Sequence, residues 1–153
     1  LQGTALARDE EGQALIELAL SLIALLTLMF CFMQLSLILY SRNMIADMAR
    51  EGTRYASVHG ASCPTTANPT CEATAAQVNS YVTSNALPNL AGGTIVVATS
   101  YASAGSSTFT TNGCESVGCS VKVKVTYNIT FAMPLVPKNT FAMSSTSVAV
   151  ITQ

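Results

Sequence analysis

From Leu18 to Tyr40 the chain reads LALSLIALLTLMFCFMQLSLILY, an apolar run without a single charged side chain. As a helix rising 1.5 Å per residue it is roughly 34 Å long, enough to cross a hydrocarbon core of ~30 Å. Its polar members are Ser21, Thr27, Gln34 and Ser36, and hydroxyls of this kind bond back to carbonyls of their own helix. The run is longer than the ~7–15-residue apolar core of a secretory signal, so it fits a cleaved signal poorly. Residues 42–59, RNMIADMAREGTRYASVH, continue without proline. There Ile45, Met48, Gly52, Tyr55, Ala56 and His59 recur at spacings of three and four, while Arg42, Asp47, Arg50, Glu51 and Arg54 lie mostly elsewhere. Asp47–Arg50 and Glu51–Arg54 are i,i+3 pairs, each worth a few tenths of a kcal/mol. The pattern predicts one helix from about 11 to 59, stopped near Gly60.

The pattern changes after Ala61 to Ser, Thr, Ala, Asn and Gly with little charge. Residues 75–87 predict a short amphipathic helix with Val78, Tyr81, Val82 and Leu87 inward, ended by Pro88. Three strands follow. The first is 94–101. The second, 120–131, alternates Val121, Val123, Val125, Tyr127, Ile129 and Phe131 with Lys122, Lys124, Thr126, Asn128 and Thr130. The third is 144–152, after a turn around Pro134 and Pro137. The predicted fold class is α+β: a long N-terminal hydrophobic helix, a short second helix, then a three-stranded antiparallel sheet packed on the C-terminal half of the long helix. The expected organisation is a polar leader-like segment (1–12), a transmembrane or filament-core helix (13–41), its amphipathic continuation (42–60) and a disulfide-stapled head domain (61–153).

Composition narrows the chemistry. Half of the 153 residues are hydrophobic and 10% are charged, against about a quarter in an ordinary soluble domain. A net charge of −1 leaves no basic footprint for nucleic acid. With one histidine (His59) and two aspartates (Asp9, Asp47), nucleophile–base pairs, metal clusters and phosphate loops lack their parts. No enzyme activity, cofactor or metal is expected. Four of the five cysteines sit in the polar half and allow three connectivities. Cys63–Cys71 and Cys114–Cys119 are the pairing expected, since each closes a short local loop, and it places this half outside the cytoplasm. Neither spacing is the CxxC of a zinc site. Cys31 reads as a small apolar packing residue. Lys122 and Lys124 read as a solvated strand face, and Asn128-Ile129-Thr130 as a chance match to the N-glycosylation pattern. The Ser/Thr-rich stretches 65–70 and 103–111 have a composition that permits O-linked sugar.

Glu17 opens the apolar run, where an ionised carboxylate is costly unless paired. The residues around it, Gly12-Gln13-Ala14-Leu15-Ile16-Glu17 ahead of a long apolar helix, are similar to the prepilin peptidase site of type IVb pilins. Met48-Ala49-Arg50-Glu51-Gly52-Thr53-Arg54-Tyr55-Ala56 resembles the A-R-E-G-x-R-Y-A signature of TadE-like proteins, pilins and pseudopilins of tight-adherence (Tad) pili. The resemblance implies a cut between Gly12 and Gln13. It also implies that Glu17 neutralises the new N-terminal amine of a neighbouring subunit. If residues 1–12 are retained, Arg8 of a neighbour is the expected partner instead. Many relatives carry a proline early in the run where this chain has Ile23, so no kink is expected there. Arg8 against Arg42, Arg50 and Arg54 is opposite to a simple positive-inside count, and cysteine usage is the better guide to orientation.

The function expected is a structural subunit of a Tad-type bacterial pilus or surface filament, polymerising through its N-terminal helix. The alternative is a minor membrane-anchored pseudopilin that primes or regulates assembly. Ala46, Ala49, Gly52 and Ala56 are expected to let neighbouring helices approach closely. The partners implied are further copies of the chain, the inner membrane before assembly, the Tad secretion and assembly machinery and prepilin peptidase.

Overall fold

A computed structural model describes residues 3–61, 74–86, 93–130 and 140–152, with helix side chains described from Gly12 onward. Helix α1 spans Gly3–Val58, helix α2 Ala75–Ser84, and strands β1, β2 and β3 span Thr94–Ala102, Ser120–Thr130 and Thr140–Val150. The chain divides into two compact units, Leu1–Ile38 and Leu39–Gln153. The order of elements and their classes are those the sequence predicts. Helix α1 begins eight residues before the expected start near 11, because Ala5, Leu6, Ala7, Arg8, Glu10 and Glu11 are strong helix formers and no proline interrupts them. It ends at Val58, and His59 and Gly60 form a bend.

In the second unit the sheet is ordered β1-β2-β3 and is antiparallel throughout. β1 pairs with β2 from Thr94↔Asn128 to Ala102↔Ser120. β2 pairs with β3 from Ser120↔Val150 to Thr130↔Thr140, so β3 starts four residues earlier than its apolar pattern indicates. Alternation along β2 buries Val121, Val123, Val125, Tyr127 and Ile129 and turns Lys124 to solvent, as period-two patterning requires. The inner face of the sheet meets the buried stripe of α1 from residue 41 onward: Ser41, Met44, Ile45, Met48, Ala49, Thr53 and Ala56. That stripe follows the 3.6-residue period of a core-facing helix.

Helix α2 closes the other side of this core with Ala75, Val78 and Val82. Its start is fixed by a capping box: Thr74 Oγ1 accepts from the Gln77 N–H and Gln77 Oε1 accepts from the Thr74 N–H at 2.9 Å. Thr99 on β1 donates to Asn79 Oδ1 at 2.8 Å, tying α2 to the sheet. Leu87, Phe131 and the turn around Pro134 and Pro137 lie outside the described residues.

Candidate functional site: the apolar helix and its signature

The Leu1–Ile38 unit carries the apolar run. Its large side chains from Leu15 to Leu35 are 41–67% exposed among the described residues. The helix passes the length and hydropathy requirements of a membrane span, with a mean hydropathy of 2.5 over its most apolar window, none of which is buried. Ser21, Thr27 and Ser36 donate to the carbonyls of Leu18, Ile23 and Phe32 at 2.9, 2.8 and 3.0 Å. These hydroxyls thus bond back to their own helix, as the sequence predicts, and are satisfied without water. Gly12, Gln13 and Glu17 are all exposed on α1, and a Cβ at Gly12 would meet nothing within 4 Å. The Arg8 side chain lies outside the described ones. Cys31 is a free, exposed cysteine on this helix, so among the described residues no core covers it.

The signature segment behaves differently. Ala49, Gly52 and Ala56 face inward and are buried. A Cβ placed on Gly52 would stand 2.6 Å from Val82 Cγ2 and 3.1 Å from Val123 Cγ1, so glycine here permits α1 to approach both α2 and β2. The expectation that Ala49, Gly52 and Ala56 serve contact between neighbouring helices is therefore corrected: the chain's own head covers them. Ala46 alone of that set is only half-buried. Next to Gly52, Thr53 Oγ1 shares a 3.0 Å hydrogen bond with Ser147 Oγ on β3 and donates to the Arg50 carbonyl at 2.8 Å.

The charged members of the signature point outward. Arg50 pairs with Asp47 at 3.3 Å, with both side chains about three-quarters exposed, so the pair is worth a few tenths of a kcal/mol. Among the described residues that is the only ion pair; the expected Glu51–Arg54 pair is not formed. Glu51 instead accepts a hydrogen bond from the Tyr81 hydroxyl at 3.3 Å. Tyr55 stacks between His59 and Tyr81, with ring centroids 4.2 and 4.0 Å away, and His59 Nδ1 donates to the Tyr55 carbonyl at 2.8 Å. Packing around the Tyr81 phenol, and then the Glu51 carboxylate beside it, raise its pKa above the ordinary value of 10.0. The groove between α1 and α2 encloses about 270 Å³ and is lined by Met44, Asp47, Met48, Glu51, Tyr81, Val82 and Asn85. The spacing of Tyr55 and Glu51 marked them as helix-face residues, but their partner Tyr81 is 26 and 30 positions away and no local pattern joins them.

At the far end of the head, Cys114 and Cys119 form a disulfide with a Cα–Cα distance of 5.9 Å. Cys63 and Cys71 lie outside the described residues. The loop that the disulfide closes is tied to the end of α1, since the Ala61 N–H donates to the Glu115 carbonyl at 2.9 Å. Lys122 Nζ sits 4.1 Å from the Phe109 ring centroid, a cation–π contact rather than the simple solvated position expected, and Lys124 is exposed. The 103–108 stretch is exposed throughout, and residues 65–70 lie outside the described residues. Among the described residues no cluster of three or more His, Cys, Asp or Glu could hold a metal ion.

Compared with known proteins, residues 12–54 match the family model of the TadE-like proteins. No curated protein and no solved structure matches the chain. The matched span begins at Gly12, takes in Glu17 and the whole apolar run, and ends inside the signature at Arg54.

Proposed function

We propose that this TadE-like chain is a structural subunit of a Tad-type pilus or related bacterial surface filament, polymerising through its apolar helix. The TadE-like match already implies a pilin-like protein associated with the Tad pilus. The observation that carries the finer reading is the contrast along α1. Where the helix bears the signature, its small residues are consumed by the chain's own head. Where it bears the apolar run, large side chains stand uncovered on every side. A surface of that size needs lipid first and other helices later, and leaving lipid for a bundle of like helices is what filament growth requires.

In this reading Gly12 and Gln13 flank the prepilin peptidase cut, and Glu17 neutralises a neighbour's cation during assembly. That cation is the new N-terminal amine after cleavage, or Arg8 where residues 1–12 are kept. The head stands outside the cytoplasm, where Cys63–Cys71 would join Cys114–Cys119 as a second staple. The partners are other copies of the chain, the inner membrane and the Tad assembly machinery. Intact-mass spectrometry of appendages sheared from producing cells tests this directly. Dominance of this chain in the sheared fraction supports the main-subunit role, and its mass reports whether the Gly12–Gln13 bond was cut. Confinement to the membrane fraction replaces it with the minor pseudopilin that primes or regulates assembly.

A further inference from the structure

Measured against β2, the open edge of β1 ends at Thr99, opposite Val123, and that of β3 ends at Val150, opposite Ser120. On β3, the Ile151 N–H donates to the Cys119 carbonyl at 2.8 Å and its carbonyl accepts from Gly118 at 3.0 Å, so its backbone faces β2. Because backbone groups alternate sides along an antiparallel strand, those of Ser144, Thr146, Val148 and Val150 face away from β2. Among the described residues they meet no backbone partner. On β1, Tyr101 exchanges hydrogen bonds with Thr110 at 2.7 and 2.9 Å, which places Ile95, Val97 and Thr99 on the same outward side. Beyond Val150 the β3 edge is closed, since the Thr152 N–H donates to the Ser57 carbonyl at 2.9 Å. Beyond Thr99 the β1 edge is closed by Thr110.

Neither edge carries the devices that usually blunt one. Thr94–Ala102 and Thr140–Val150 contain no charged residue and no proline, and both pair with β2 in unbroken register. Long, regular, uncharged edges are templates for another strand. The geometry points to the β1 edge of a second copy of this chain as the strand that β3 takes, so that neighbouring heads share one continuous sheet. β1 and β3 both run antiparallel to β2, so copies in the same orientation join them in parallel. Registers two residues apart all satisfy the alternation on both sides; the one that engages Ile95, Val97 and Thr99 and stops where Thr110 closes β1 and Ser57 closes β3 sets Val96 beside Val148. Val148 then donates to the Ile95 carbonyl and accepts from Val97, Val150 donates to the Val97 carbonyl and accepts from Thr99, and the Thr146 carbonyl accepts from Ile95. The same register brings together Val96 and Val148, exposed by 54% and 55% on the outer face. A pairing of β3 with β3 closes on itself as a dimer and leaves β1 unused, whereas β3 with β1 is head-to-tail and stays open.

This inference extends the filament reading, and amide hydrogen exchange on the full chain tests it separately. The chain in detergent is followed across a concentration series and compared with sheared filaments. Expected is exchange on the order of tenfold slower at Ile95, Val97, Thr99, Val148 and Val150 on association. Val148→Pro, which removes an outward N–H but no bond to β2, abolishes that protection. Val148→Lys, which keeps the backbone intact, weakens it. Protection confined to 142–150 would mean β3–β3 dimers and overturn the β1 pairing. Protection already full in the dilute monomer would mean another part of the chain covers the edge, and absence of protection at every concentration would mean nothing does. Either result overturns the proposal. Should the chain be missing from filaments, the main-subunit reading falls while the detergent series still decides the edge.

Discussion

Gly52 is the residue on which the head closes. In a helix interior glycine costs about 1 kcal/mol relative to alanine, yet here a Cβ would press into the branched tips of Val82 and Val123. Branched side chains at fixed χ1 yield little, and overpacking of this kind costs about 1–3 kcal/mol. Gly52→Ala therefore sets a propensity gain against a steric loss of equal or larger size, while Gly52→Val adds further atoms and loses the gain. We expect Gly52→Val to lower the urea midpoint by the equivalent of about 3 kcal/mol, and an unchanged midpoint would contradict the close approach. Tyr81 supplies a second test at this scale. Its folded pKa lies above the unfolded value, so the folded state holds the phenolic proton more tightly. The resulting stability is full below about pH 10 and declines as pH rises through the folded pKa. Tyr81→Phe should flatten this part of the thermal-stability profile between pH 9 and 11 relative to the parent chain, and parallel profiles would show that the Glu51–Tyr81 contact does not persist in solution.

Helix α2 is short enough that its ends decide whether it forms. Ten residues of helix are marginal alone, and the Thr74–Gln77 capping box satisfies donors that would otherwise be orphaned at its start. Thr74→Ala should cost about 1 kcal/mol, read as a lower Tm with the α2–β1 contact at Asn79–Thr99 loosened first in hydrogen exchange. No change in Tm would assign α2's stability wholly to Val78 and Val82. The contrast between these contributions also explains what could be read from sequence. β2 was legible because Val121 to Ile129 alternate strictly with polar residues, and α1 because its apolar run and its 3.6-residue period are both long. The four additional residues of β3 were not, since 140–143 show no alternation and are ordered by pairing with 127–130. The capping box was present as Thr74-x-x-Gln77, a local signal that spacing alone could have revealed. The roles of Gly52, Glu51 and Tyr55 were not local at all. Small and charged residues on one helix face look the same whether their partner is another subunit or the chain's own α2 and β2.

For the whole molecule, the weight of the apolar stretch from Leu15 to Tyr40 against the one carboxylate within it decides what Glu17 can do. Burial of a large apolar side chain contributes about 1.5–3 kcal/mol, and the run from Leu15 to Tyr40 exposes many such residues, so transfer into lipid gains on the order of tens of kcal/mol. A carboxylate within a membrane helix costs roughly 3 kcal/mol on insertion scales. Glu17 is thus too small a term to prevent insertion, and removing it should leave the membrane-bound population as it was. On the filament reading proposed above, its influence falls on the later step, when helices would leave lipid and pack together. There a cation without its partner in a low-dielectric bundle costs about 3–5 kcal/mol, which corresponds to a factor on the order of a hundred or more in the assembly equilibrium. Glu17→Ala should therefore give normal amounts of folded, membrane-inserted chain and at least a hundredfold less sheared filament, by this estimate. Glu17→Asp, which keeps the charge but shortens its reach, should fall between the two. Loss of the Ala variant from the membrane fraction would move Glu17's role back to insertion, and filaments at normal abundance would remove it from assembly altogether.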